Sequence, residues 1–136
     1  MKTPPIARSP FGRVVVSTVV VLFLGLGAAG CGGPSGPTVS VTATNVDDDK
    51  LTFRFTPDNI TVQQGGAIKL TNTGDVEHNF TVDGQSILIY AGVGQTAAAT
   101  INLAPGSYTF QCTIVEGGNT HGSLGMKGTL TVTAKP

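Results

Sequence analysis

The sequence predicts an all-β fold, a Greek-key antiparallel β-sandwich, on three observations. Apolar and polar residues alternate over short runs, as in Val39-Ser40-Val41-Thr42-Ala43 and Leu51-Thr52-Phe53-Arg54-Phe55. Turn residues separate these runs at intervals of about eight to twelve residues, the spacing of a sandwich. No stretch reads as a helix of ordinary length, and there is no internal repeat. At 136 residues the chain suits one domain and is too short for two of ordinary size.

Residues 1–30 read as a signal peptide and stand outside the fold. Lys2, Arg8 and Arg13 form a basic start, an apolar run follows from Val14, and small residues Ala28-Ala29-Gly30 precede Cys31. The segment Ala28-Ala29-Gly30-Cys31 resembles the lipobox of bacterial lipoproteins, with Ala28 where that family usually carries Leu. The resemblance implies that Cys31 is lipidated and becomes the first mature residue. An ordinary cleaved signal and an uncleaved anchor helix are the alternatives, since the run is near the lower limit for a bilayer core of about 30 Å. Residues 31–37 then form a tether of Gly, Pro and Ser with nothing to bury. The expected location is the outer face of the cytoplasmic membrane, in the periplasm or at the cell surface, held through a lipid anchor.

The domain expected over 38–136 opens with the two alternating runs, separated by Asp47-Asp48-Asp49. That triplet reads as a solvated turn, because the spaced ligands and closing glutamate of a calcium loop are missing. Thr56-Pro57-Asp58-Asn59 turns the chain into Ile60-Thr61-Val62, and Gln64-Gly65-Gly66 into a strand over 67–72. Thr73-Gly74-Asp75 precedes a strand headed by His78. Strands are further expected over 87–90, 97–103, 107–112 and 128–133, with Asp83-Gly84 and Ala104-Pro105-Gly106 as turns. Phe53, Phe55, Phe80 and Phe110 are the largest candidates for the core.

Composition narrows the function. Removing Lys2, Arg8 and Arg13 leaves five basic residues against eight acidic ones, a formal charge of minus three, which offers no basic footprint for nucleic acid. No serine or cysteine triad and no paired-carboxylate motif is recognisable, so an enzyme is not expected. Scarce residues are more informative. The two histidines are His78 and His121; apart from Met1 and Cys31, Met126 and Cys112 are the only methionine and cysteine. A single thiol in an exported protein calls for an explanation, and metal ligation supplies one. Two imidazoles, a thiolate and a thioether make the ligand set of a blue-copper electron-transfer site.

Strand periodicity and direction let these residues meet. Residues two apart share a face, so His78 continues the row of Phe80 and Val82, Cys112 that of Phe110, and Met126 that of Leu130 and Val132. His78 and Met126 precede their strands, whereas Cys112 follows its own. If the strand ending at Cys112 runs antiparallel to the other two, all three reach one end of the sandwich, and His121 joins them from the intervening loop.

Phe55 to Val62, Leu70 to Gly74, Glu77-His78-Asn79-Phe80-Thr81-Val82, Gly106 to Cys112 and His121 through Met126 to Val132 together resemble the cupredoxins, specifically the small plastocyanin-like and halocyanin-like proteins. The resemblance implies one type 1 copper per domain, with His78, Cys112 and His121 as equatorial ligands and Met126 as the weak axial one. Asn79 matches the family residue whose side chain ties the two ligand loops together. The eight residues from Thr113 to Thr120 make the loop between Cys112 and His121 longer than the family's. The implied function is one-electron transfer between redox proteins; a monomer is expected, the tether points to membrane-associated partners, and His121, from the loop at the ligand end, is the expected exit for the electron, with Cys112 as a second path through the sheet. Copper delivery on the same fold, and a metal-free adhesion or interaction sandwich, are the alternative readings.

Overall fold

The computed structural model describes residues 33–47 and 52–136. The expected signal peptide, Cys31 and most of the acidic turn lie outside the described residues. Within them the chain forms β1 (Thr38–Asp47), β2 (Thr52–Thr56), β3 (Asn59–Gln63), β4 (Ala67–Asn72), β5 (His78–Val82) and β6 (Leu88–Ala91). There follow β7 (Thr96–Thr100), β8 (Gly106–Gln111), β9 (Val115–Glu116), β10 (Asn119–Thr120) and β11 (Lys127–Thr133). One sheet has the order β2-β1-β4-β7 and the other β3-β11-β8-β5-β6, while β9 and β10 pair with each other alone.

Alternation decides which side chains enter the core. Val41 and Ala43 of β1, Phe53 and Phe55 of β2, Ile60 and Val62 of β3, and Leu130 and Val132 of β11 are all buried, with polar neighbours facing out. At the centre Phe80 and Phe110 stack with ring centroids 4.2 Å apart, and Phe55 meets both edge-on at 5.8 and 5.3 Å. Burying each such ring contributes about 1.5–3 kcal/mol. Phe53 is buried too, but it lies against the two histidines rather than in this cluster.

The all-β sandwich matches the sequence reading, and each sheet also holds one parallel pair, β1 with β4 and β3 with β11. Alternation is the same in parallel and antiparallel strands, so these pairings leave no mark on the residue pattern. The positioning condition for the candidate site is met: β8 runs antiparallel to both β5 and β11. The start of β5, the end of β8 and the start of β11 therefore share one pole of the sandwich. At this pole β1 carries a register shift between Asn45 and Asp47 in its pairing with β2. Such a bulge re-aims side chains locally, and the Asn45 side chain beside it reaches His78.

Candidate metal centre

His78 is the first residue of β5, Cys112 follows β8, and Met126 immediately precedes β11. Cross-strand bonding locks them together: the Cys112 amide donates to the Met126 carbonyl (3.0 Å), and the Met126 amide to the His121 carbonyl (2.9 Å). His78, Cys112, His121 and Met126 are all fully buried. The ligating atoms of His78, Cys112 and His121 lie within 4.8 Å of one another. His78 Nδ1 is 3.1 Å from His121 Nδ1, and the Cys112 sulfur is 3.5 Å from His121 Nδ1 and 3.9 Å from His78 Nδ1.

The opposite edges of both imidazoles are already engaged. His78 Nε2 faces Asn45 Oδ1 at 3.4 Å, and His121 Nε2 faces Glu116 Oε2 at 3.2 Å. Both partners accept, so each ring places its proton on Nε2 and turns a bare Nδ1 inward. Two nitrogen lone pairs and a sulfur then face one buried point. Together they repel; with a cation between them they become its ligands. The donor set of borderline nitrogen and soft sulfur fits copper.

Burial acts in opposite senses on the two kinds of donor, favouring the neutral imidazole and opposing the bare thiolate. Burial, reinforced by the nearby His121 and opposed by Asp75, pushes the His78 pKa down to about 4, so its imidazole is neutral and able to ligate at neutral pH. Burial raises the Cys112 pKa above its ordinary value, while the backbone amides of Asn79 and Ile114 act in the opposite sense. The Asn79 amide lies 3.4 Å from the sulfur. Such donors favour the thiolate that a bound cation demands.

Asn79 also ties the two ligand segments. Its Oδ1 accepts from the Thr113 amide at 2.8 Å, and its Nδ2 donates to Thr113 Oγ1 at 2.9 Å. Phe53 stacks on His121 with centroids 3.9 Å apart and approaches His78 edge-on at 5.6 Å. There is no room for a side chain at position 74, where a Cβ would meet Asn45 Oδ1 and stand 3.1 Å from His78 Nε2.

The long loop between Cys112 and His121 is a hairpin. β9 and β10 pair Glu116 with Asn119 and Val115 with Thr120, and the turn residues Gly117 and Gly118 have φ of 58° and 81°. That conformation suits glycine and the tight turns of two-residue hairpins. The hairpin lays Glu116 against His121, so the ring expected to serve as the electron's exit is sealed. The Gly117-Gly118 pair was the sequence signal for this hairpin. Asn45 and Phe53 carry no comparable signal, since a bulge and a ring stack leave no local motif.

The profile of the cupredoxin-like domain matches residues 15–132. The chain belongs to the cupredoxin family. Its cofactor is copper, one ion per domain. This cupredoxin is 35% identical over 108 residues to plastocyanin of Dryopteris crassirhizoma, covering 64% of this chain and 95% of that protein. The oxidised form of that plastocyanin superposes with a TM-score of 0.52 at 30% identity, over 70% of this chain and all of the other. Reduced auracyanin from Roseiflexus castenholzii gives 0.52 at 21% identity, over 74% and 99% of the two chains, and speaks for the fold.

Proposed function

We propose that this cupredoxin is a type 1 copper protein carrying single electrons between redox proteins. His78, Cys112 and His121 hold the metal, and Met126 is the weak fourth ligand. The observation that carries the reading is the convergence of two Nδ1 atoms and one sulfur on a buried point, with both Nε2 edges engaged elsewhere. Bound copper supplies a one-electron couple whose reduced state favours thiolate and thioether and whose oxidised state favours imidazole.

The chain's contribution is to hold both ligand types in one arrangement. Ladder bonds fix β5, β8 and β11, the Asn79–Thr113 bonds tie the His78 and Cys112 segments, and Phe53 limits rotation of His121. Burial keeps water from the donors. Four buried candidate ligands leave no open position for a substrate, which favours a carrier over an enzyme. With His121 sealed, a partner makes its approach over the Glu116 hairpin or over Phe53, which lines a surface groove of about 210 Å³ with Val46 and Leu124.

Cu(II) titration of the protein, followed optically and by paramagnetic resonance, tests the reading. One equivalent should produce an intense thiolate-to-copper band and a reversible potential. Weak colour with rapid loss to a chelator would indicate copper delivery instead, and no stoichiometric binding would leave a metal-free sandwich. On the sequence features at 28–37 we further propose a lipid on Cys31, a tether over 31–37 and a functional domain over 38–136. The protein would then work as a monomer at the outer face of the membrane, beside membrane-associated partners. Mass spectrometry of the mature amino terminus decides the anchor: an unacylated Cys31 removes it.

A further inference from the structure

We infer that Glu116 is a positioning residue for the metal centre: its carboxylate accepts the Nε2 proton of His121, fixes the ring with Nδ1 inward, and biases the bound copper toward its oxidised state. This role rests on the copper reading proposed above. Its basis is the 3.2 Å contact between Glu116 Oε2 and His121 Nε2, on a ring with no exposure of its own.

The contact is built by the chain rather than left to a wandering side chain. Gly117 and Gly118 turn the hairpin, the Glu116–Asn119 and Val115–Thr120 pairs set its register, and the His121 amide donates to the Ile114 carbonyl at 2.8 Å. Glu116 thus comes from one arm of the hairpin and His121 follows the other. Phe53, stacked on the ring face, opposes rotation away from the carboxylate.

The other imidazole provides an internal contrast. His78 Nε2 meets a neutral amide, Asn45 Oδ1, at 3.4 Å, and the carboxylate on that side, Asp75, is engaged through Asn45 Nδ2. His121 alone of the two has a carboxylate directly on its outer nitrogen. A carboxylate behind a ligating imidazole strengthens its donation and commonly changes metal affinity by about 10–100-fold when removed. Its negative charge also favours Cu(II) over Cu(I) through the Coulomb attraction. The Glu116 side chain is 36% exposed, so water weakens this preference without removing it.

The experiment compares the copper-loaded full chain with its Glu116→Gln and Glu116→Ala variants by redox titration. Glutamine keeps an acceptor and loses the charge; alanine loses both. The expected result is a retained thiolate-to-copper band with a raised potential, the larger rise in alanine corresponding to about a tenfold shift in relative Cu(I) and Cu(II) affinity, or about 59 mV for one electron. A retained band with a shift below about twofold in both variants would overturn the role of Glu116. Absence of the band from the unmodified protein would instead defeat the copper reading, so the two failures are distinguishable. Should the variants fail to hold copper, proton resonance of the unmodified Cu(I) protein decides: a slowly exchanging Nε2 proton on His121 supports the role, and a freely exchanging one overturns it.

Discussion

The candidate ligands reach the centre by two different constructions. His78, Cys112 and Met126 sit at the ends of β5, β8 and β11, where strands distant in sequence are cross-bonded. His121 follows a hairpin whose own pairing is local, Glu116 with Asn119 and Val115 with Thr120, and it is tied back to the strand ends through the Met126 amide. The strand ends inherit the rigidity of the sandwich, because displacing one of them disturbs a ladder and the packed core behind it. The hairpin can be altered at little cost to the core. One side of the centre is thus set by the fold, and the other can be tuned by a few residues.

Removing the central strand-borne donor should have the largest effect. Cys112→Ser is expected to abolish the intense optical band and to weaken copper binding by more than the ~100-fold attainable by losing an outer partner of a ligand. The sandwich should stay folded by circular dichroism. Persistence of the band would sink the thiolate assignment.

Acid should next expose the cost of burying His78. Its folded pKa of about 4 lies below the ordinary 6.5, so on acidification the unfolded chain takes the proton first. The stabilisation is present above about pH 6.5 and is lost as pH falls toward 4. Urea unfolding of the metal-free protein should therefore show a loss of about 2 kcal/mol between pH 7 and pH 5. If His78→Gln has the same slope, the dependence belongs to another group.

The mildest change concerns the hairpin. Gly118 has φ of +81° with open space around it, so Gly118→Val introduces backbone strain of about 1–3 kcal/mol without a clash. Gly84 offers the matched control, at +69° and equally open, in the turn between β5 and β6. Gly118→Val should release copper to a chelator roughly tenfold faster, in line with the lower part of that strain range. Gly84→Val should lose stability and leave the release rate alone. Equal release rates would erase the distinction between the two constructions.

The same division governs what could be read from the sequence. Alternation marked the buried rows of Phe53, Phe80, Leu130 and their neighbours, and the order of ligand and strand, once β8 runs antiparallel to β5 and β11, brings His78, Cys112 and Met126 to one pole. Pairing direction was not legible for β1 with β4 or β3 with β11, because it depends on chain connections rather than on residue pattern. Thr113 to Thr120 read only as a loop longer than the family's. Its Gly117-Gly118 turn folds two short arms over His121 and seals the ring. Contacts such as Asn45 with His78 join residues more than thirty positions apart and have no local signature.

The parallel pairing of β1 with β4 has a bearing on orientation. Thr38 begins β1 beside Ala67, whose amide donates to the Pro37 carbonyl; nearby Gly65 bonds both Ser35 and Ile101, and Gln64 meets the end of β11 at Thr133. Seven residues further along β1, Asn45 touches His78. At about 3.3 Å per residue that separates the two ends by about 23 Å. The polypeptide thus enters the sandwich at the pole opposite the metal ligands, and β1 runs the length of the domain between that entry and the centre.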